Sequence, residues 1–239
     1  MATRTAYPVP SPTSPTAAGT GPLRRARRTA LVAGLVWLVA GVGTFAPESP
    51  GPGTDATGIR AHVEQNLDVL TLNAASSLVA VVALLALVSA LVTVLQAEGP
   101  GGAASRYVLG AGTLAAVQMV FFHAVYAVWL FVDPAALGDT EVRALFAAGL
   151  FADAFGSLAL VVTCSMVGLV SWLALRHRFL SRPVAVLGLL VAAGELVSLG
   201  QLLGENPVSS TGMYVAIFGW FLWPAVVGVD LGIRLRRRG

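Results

Sequence analysis

The run VLTLNAASSLVAVVALLALVSALVTVL, residues 69–95, decides the fold class: it holds 27 residues and no charge. At 1.5 Å of rise per residue, an α-helix of that length spans about 40 Å, more than the ~30 Å of hydrocarbon in a bilayer. Working outward, one apolar run precedes it at 29–46, and four follow at 107–132, 144–175, 183–203 and 211–233. Composition agrees: 56% of the chain is apolar and 11% charged, against about 25% charged in an ordinary globular domain. There is too little polar surface to cover so much apolar area in water. The sequence therefore predicts an all-α, polytopic transmembrane helix bundle of six spans.

The connections fit that reading. Gly99-Pro100-Gly101-Gly102 and Glu205-Asn206-Pro207 have strong turn chemistry. The run at 144–175 is long enough to tilt or to project beyond the bilayer, yet too short for two spans and a turn. Residues 1–23 are rich in Pro, Ser, Thr, Ala and Gly and are expected to be a disordered cytoplasmic tail. Residues 24–239 then form one transmembrane domain. Arg24, Arg25, Arg27 and Arg28 before the first apolar run resemble the start of a signal peptide. Pro47 directly after Ala46 opposes cleavage there, so the run is expected to remain as the first helix.

Arginine placement orients the bundle. All 15 basic residues are arginine. With the N-terminus inside, thirteen fall on the cytoplasmic side and only Arg60 and Arg143 outside, a strong positive-inside bias. Glu48, Asp55, Glu64, Asp68, Asp133, Asp139, Glu141 and Glu205 fall outside. An odd number of spans would put an arginine cluster on the wrong side, so the expected topology is N-in and C-in. Tyr107 and Trp172 mark inner helix ends, Trp129 and Tyr214 outer ones, while Trp37, Trp220 and Trp223 are expected to pack inside.

Whole chemistries are excluded. Without lysine there is no phosphate-binding loop of the Walker type, no Schiff base and no amine nucleophile. Cys164 is the only cysteine, so no internal disulfide, redox pair or thiolate cluster can form. The histidines are His62, His123 and His177, none in a zinc-protease motif, and His123 has no second intramembrane histidine with which to hold a haem. No cofactor or metal is expected.

The stretch from Arg27-Arg28-Thr29-Ala30-Leu31 to Leu35 resembles the opening of a bacterial six-helix membrane family of the domain-of-unknown-function 4386 type. Gly168-Leu169-Val170, Phe179-Leu180-Ser181-Arg182 and Leu187-Gly188 are similar to its fourth-to-fifth helix junction. That family tends to carry Phe-Leu-Pro-Arg there, whereas here Ser181 precedes Arg182 and Pro183 follows it. The resemblance implies six helices in a bacterial cytoplasmic membrane and transfers no catalytic residue.

Ionisable groups inside hydrocarbon are costly and therefore candidates for function. Glu195 lies about 20 Å beyond Arg182, and His123 about 25 Å beyond Arg106. Asp153 lies about 34 Å before Arg176, at the outer boundary, and Tyr126 is one turn from His123. These four, Glu195, His123, Asp153 and Tyr126, make a candidate intramembrane polar site opening outward. Set against it, Gly149, Asp153, Ser157, Cys164, Gly168 and Ser171 form one small, polar helical stripe suited to helix packing. Gly188, Ala192 and Ser198 share a face with Glu195, which then reads as a neutral acid hydrogen-bonded to a neighbouring helix. Gly228 and Gly232 suit packing, and Asp230 suits an ion pair with Arg234.

Two functional readings remain open. In the favoured one the protein is a non-catalytic membrane component that binds a partner protein, lipid or a second copy of itself as a homo-oligomer, with arginines against anionic headgroups at the cytoplasmic face. In the other it is a small-molecule or proton-coupled ion transporter built around Glu195 and His123. An enzyme fits least, since no nucleophile has a base beside it, and nucleic-acid binding fits poorly with arginines at the membrane edge.

Overall fold

The computed structural model describes residues 20–44, 50–51, 53–200 and 206–237, without the side chains of residues 20, 153, 154, 156–159, 236 and 237. Seven α-helices are described: α1 Thr20–Gly43, α2 Ala56–Gln65, α3 Leu67–Glu98, α4 Gly102–Ala127, α5 Asp139–His177, α6 Arg182–Ser198 and α7 Pro207–Arg237. A 3-10 turn, Val128–Leu130, extends α4. Among the described residues there is no strand. Nineteen of the 23 residues expected as a disordered tail lie outside the described residues, and α1 begins at Thr20, ahead of the arginine run.

Five helices are long and apolar enough to cross a membrane: Gly21–Gly43, Leu67–Glu98, Gly102–Leu130, Leu160–His177 and Pro207–Leu235. The chain is a multi-pass helical membrane protein. The sixth expected span begins as α6, which has 17 helical residues. A 3-10 turn continues it through Gly200, and residues 201–205 lie outside the described residues.

Six helices form a closed ring. α1 packs on α3, α3 on α4, α4 on α5, α5 on α6, α6 on α7, and α7 returns to α1. Small residues set these close approaches, because in lipid the attraction between helices comes from packing and polar contacts. Gly34 and Gly228 bring the backbones of α1 and α7 together; a Cβ on Gly34 would lie 2.8 Å from the Pro224 carbonyl oxygen. Gly232 meets Leu31, so the Gly228 and Gly232 pair packs helices. Pro224 supplies no N–H to the turn before it. The Trp37 indole N–H donates into that turn, to the Phe221 carbonyl, at 3.0 Å. Trp37, Trp220 and Trp223 are all buried, as expected of packing residues.

The 39 residues of α5 would reach about 58 Å, far more than the hydrocarbon needs. Its first turns carry a second apolar cluster, in which Ile59 and Val63 of α2 meet Val142, Trp129 and Leu70. Asp55 caps α2 by accepting from the Gly58 N–H at 2.8 Å. Arg60 ties α2 to the α4–α5 connection, bonding the carbonyls of Pro134 and Leu137 and pairing with Asp139 at 2.8 Å. Trp129, expected at a membrane edge, is buried under this cap. The α3–α4 turn relies on Gly101 and Gly102, whose φ of 60° and 51° suits residues without a Cβ.

Candidate functional site

The candidate residues are carried by three neighbouring helices of the ring. His123 and Tyr126 are on α4, Asp153 on α5 and Glu195 on α6. The Asp153 side chain lies outside the described residues.

His123 is buried and its Nδ1 lies 2.9 Å from Asn73 Oδ1, on α3. The Asn73 amide nitrogen donates to the Thr44 carbonyl, just past α1, at 2.6 Å. A carbonyl only accepts, so that bond fixes the amide nitrogen toward Thr44 and leaves Oδ1 for His123. The His123 Nδ1 must then carry the proton. Ser77 and Thr44 return their hydroxyls to backbone carbonyls in their own turns, Asn73 and Gly41. The result is a polar crosslink through α1, α3 and α4. Tyr126 packs its ring 3.7 Å from where a Gly149 side chain would begin, and Phe122 meets the Tyr126 ring at a tilt and the His123 ring edge-on.

Glu195 belongs to a different seam. It is 3% exposed, on the face of α6 turned to α5, where Cys164 lies within electrostatic reach. Next along that seam Gly168 opposes Ala192, and then Gly188 sits against both Ser171 Oγ and Trp223 Nε1. Of the expected small-residue stripe, Cys164, Gly168 and Ser171 do face a neighbouring helix. Glu195 Oε2, Ser171 Oγ and Trp223 Nε1 have no hydrogen-bond partner among the described residues. Ser198 turns its hydroxyl to the Glu195 backbone carbonyl at 2.8 Å, within its own turn. Among the described residues, no hydrogen bond or ion pair joins Glu195 to His123.

Asn73 escaped the sequence reading because it is uncharged. Its signal was an amide, flanked by Ser76 and Ser77, inside an otherwise apolar run. Arg27 was grouped with the surface arginines, yet it is 3% exposed and pairs with Glu98 of α3 at 2.7 Å. Arg24, Arg25 and Arg28 are exposed. Asp230 pairs with Arg234 at 3.1 Å, as expected, and also accepts the Ser181 N–H at the start of α6. Among the described residues, no group of three His, Cys, Asp or Glu side chains is arranged to hold a metal.

Among the described residues, open cavities line the outer side of the α1/α3 seam. Two of them measure about 670 and 720 Å³ and are lined almost wholly by aliphatic side chains. No protein-family model, curated protein or solved structure matches this chain.

Proposed function

We propose that this chain is a six-span membrane protein with both termini in the cytoplasm, acting as a non-catalytic component that binds lipid or a partner protein through its helix surfaces. The observation that carries the reading is how the buried polar groups are used. His123, Asn73, Arg27 and Asp230 each bond across from one helix to a neighbouring segment. Such bonds hold a bundle together and leave little free for chemistry. The cavities along the α1/α3 seam open outward, where lipid or another membrane protein would lie.

The sixth span is supported by the ring: α6 lies between α5 and α7 and packs on both. The thirteen-to-two arginine split supports the orientation. The likeness to the bacterial six-helix family, and with it a bacterial cytoplasmic membrane, rests on the residues quoted for it. One observation favours the carrier reading instead, the unpartnered Glu195 Oε2, since an ionisable group buried among membrane helices is by default a candidate for exchanging a proton.

Single cysteines in a Cys164→Ser background test the topology. Replacements of Gly53, Ala136 and Ser209 should react with an impermeant thiol reagent added outside intact cells. Reaction of replacements at Gly101 or His177 from that side would overturn it. A pH-driven flux in liposomes that disappears with Glu195→Gln would replace the component reading by the carrier.

A further inference from the structure

The outer face of the α1/α3 seam is grooved along most of its length. Three cavities of about 290, 670 and 720 Å³ adjoin there. The first two share Thr29, and the last two share Val36 and Val79. From Thr29 to Gly43 the groove covers 15 residues of α1, about 21 Å end to end by the helical rise. One leaflet contributes only about 15 Å of hydrocarbon, half of ~30 Å. The groove exists because Ala33, Ala40, Ala83 and Ala86 make a low floor between taller side chains such as Val32 and Leu78, which are 61% and 65% exposed.

Only one end carries charge; at the other, Ser76 is the one polar side chain. Arg25, Thr29, Ser89 and Thr93 surround the smallest cavity, and Arg28 opens the next. Arg25 and Arg28 are exposed and make no ion pair among the described residues, whereas Arg27 between them turns inward to Glu98. By the arginine bias this mouth lies at the cytoplasmic surface.

We propose that the groove holds one anionic glycerophospholipid of the cytoplasmic leaflet, with its phosphate between Arg25 and Arg28 and an acyl chain along the α1/α3 seam. This inference rests on the reading of the chain as a membrane component. The charge pattern selects the occupant. A transmembrane helix of a partner would cover the aliphatic floor and leave two cations at the mouth without a counter-charge. A phospholipid satisfies both ends, and its chain needs less length than the groove provides. The hydroxyls of Thr29 and Ser89 stand where a phosphate or glycerol oxygen would arrive.

Native mass spectrometry of the full chain, with phosphatidylglycerol and phosphatidylcholine added in equal amounts, provides the test. Two arginines near an anionic headgroup predict a preference for phosphatidylglycerol of roughly 25-fold, dropping to about fivefold in Arg25→Gln or Arg28→Gln. Arg24→Gln, on the same helix but away from the cavities, should behave as the parent protein. Val79→Trp fills the groove where two cavities meet, on a residue already 49% exposed, so it should release the lipid without unfolding the bundle. Equal retention of the two lipids, a preference that survives the double arginine variant, or unchanged retention in Val79→Trp would overturn the site. A co-purifying protein in place of lipid would do the same. Thiol labelling of intact cells that express the same chain separates the two failures. The expected labelling without lipid preference removes the groove alone, and the opposite labelling removes the membrane reading with it.

Discussion

Arg27 reaches from α1 to α3 and sets its Nη2 2.7 Å from both carboxylate oxygens of Glu98. The arginine is 3% exposed and the glutamate 15%. Its neighbours Arg25 and Arg28 point away from the protein. A run of four arginines thus divides its labour by helical phase, with one inside the bundle and three at its surface.

That division predicts unequal mutants. Removing one partner of a buried ion pair strands the other, at a cost of about 3–5 kcal/mol, whereas replacing both with apolar side chains is far milder. Arg27→Ala should therefore lower the thermal midpoint in detergent severely, Arg28→Ala hardly at all, and Arg27→Met with Glu98→Leu should restore most of the loss. Equal effects for Arg27→Ala and Arg28→Ala would refute the assignment.

Asn73 is the node between α1, α3 and α4. Asn73→Leu leaves the His123 Nδ1–H and the Thr44 carbonyl without their partner, with an expected loss of about 1–3 kcal/mol. His123→Leu should cost less, because the Thr44 bond survives. A double-mutant cycle should give a coupling of about 0.6–1.7 kcal/mol, the range for hydrogen bonds between membrane helices. Strict additivity would mean that the crosslink does not form.

Glycine positions supply an internal contrast. A side chain at Gly228 would run into the Ala30 carbonyl and the Gly34 backbone, whereas Gly110 has open space beside it. Gly228→Ala should destabilise by about 1–3 kcal/mol as overpacking at a close crossing. Gly110→Ala should stabilise by up to about 1 kcal/mol through helix propensity. Unfolding curves of the two variants, measured side by side, should move in opposite directions.

Glu195 distinguishes a packing residue from a working one. Glutamine has the same shape and keeps both a donor and an acceptor, so for a component protein Glu195→Gln should change stability by less than about 0.5 kcal/mol. Glu195→Leu should cost somewhat more, since it gives up the carboxyl's bond with Ser198 together with an oxygen that has no partner. Thermal unfolding of both variants checks this; a large loss in Glu195→Gln would show that the carboxyl holds an interaction glutamine cannot replace.

Hydropathy reads each helix separately, and that is why the helices were legible. Residues 69–95 and 211–233 appear within α3 and α7 with a few extra residues at either end. The small stripe through Cys164, Gly168 and Ser171 was legible too, because 100° per residue is a property of one helix. Partnership between helices is not. Nothing in the sequence around His123 points to Asn73, 50 residues earlier, and nothing at Arg27 points to Glu98. Depth alone placed Glu195 and His123 in the same half of the bilayer, but depth does not give azimuth around a ring. α2 is hard to read because ten residues are too few to announce a helix; Asp55 as a cap and the Ile59 and Val63 spacing are its available signals.

The meeting of α1 with α7 has a consequence for biosynthesis. Gly34 and Gly228 are 194 positions apart (228 − 34). At about 5–20 residues per second, a ribosome needs roughly 10–40 s to cover that distance. Throughout that interval the Ala30 and Gly34 face of the first helix has no partner within its own chain. Among the described residues, α7 is what covers it. A chain interrupted before Gly228 leaves α1 packed on α3 but with its Ala30 and Gly34 face bare to lipid.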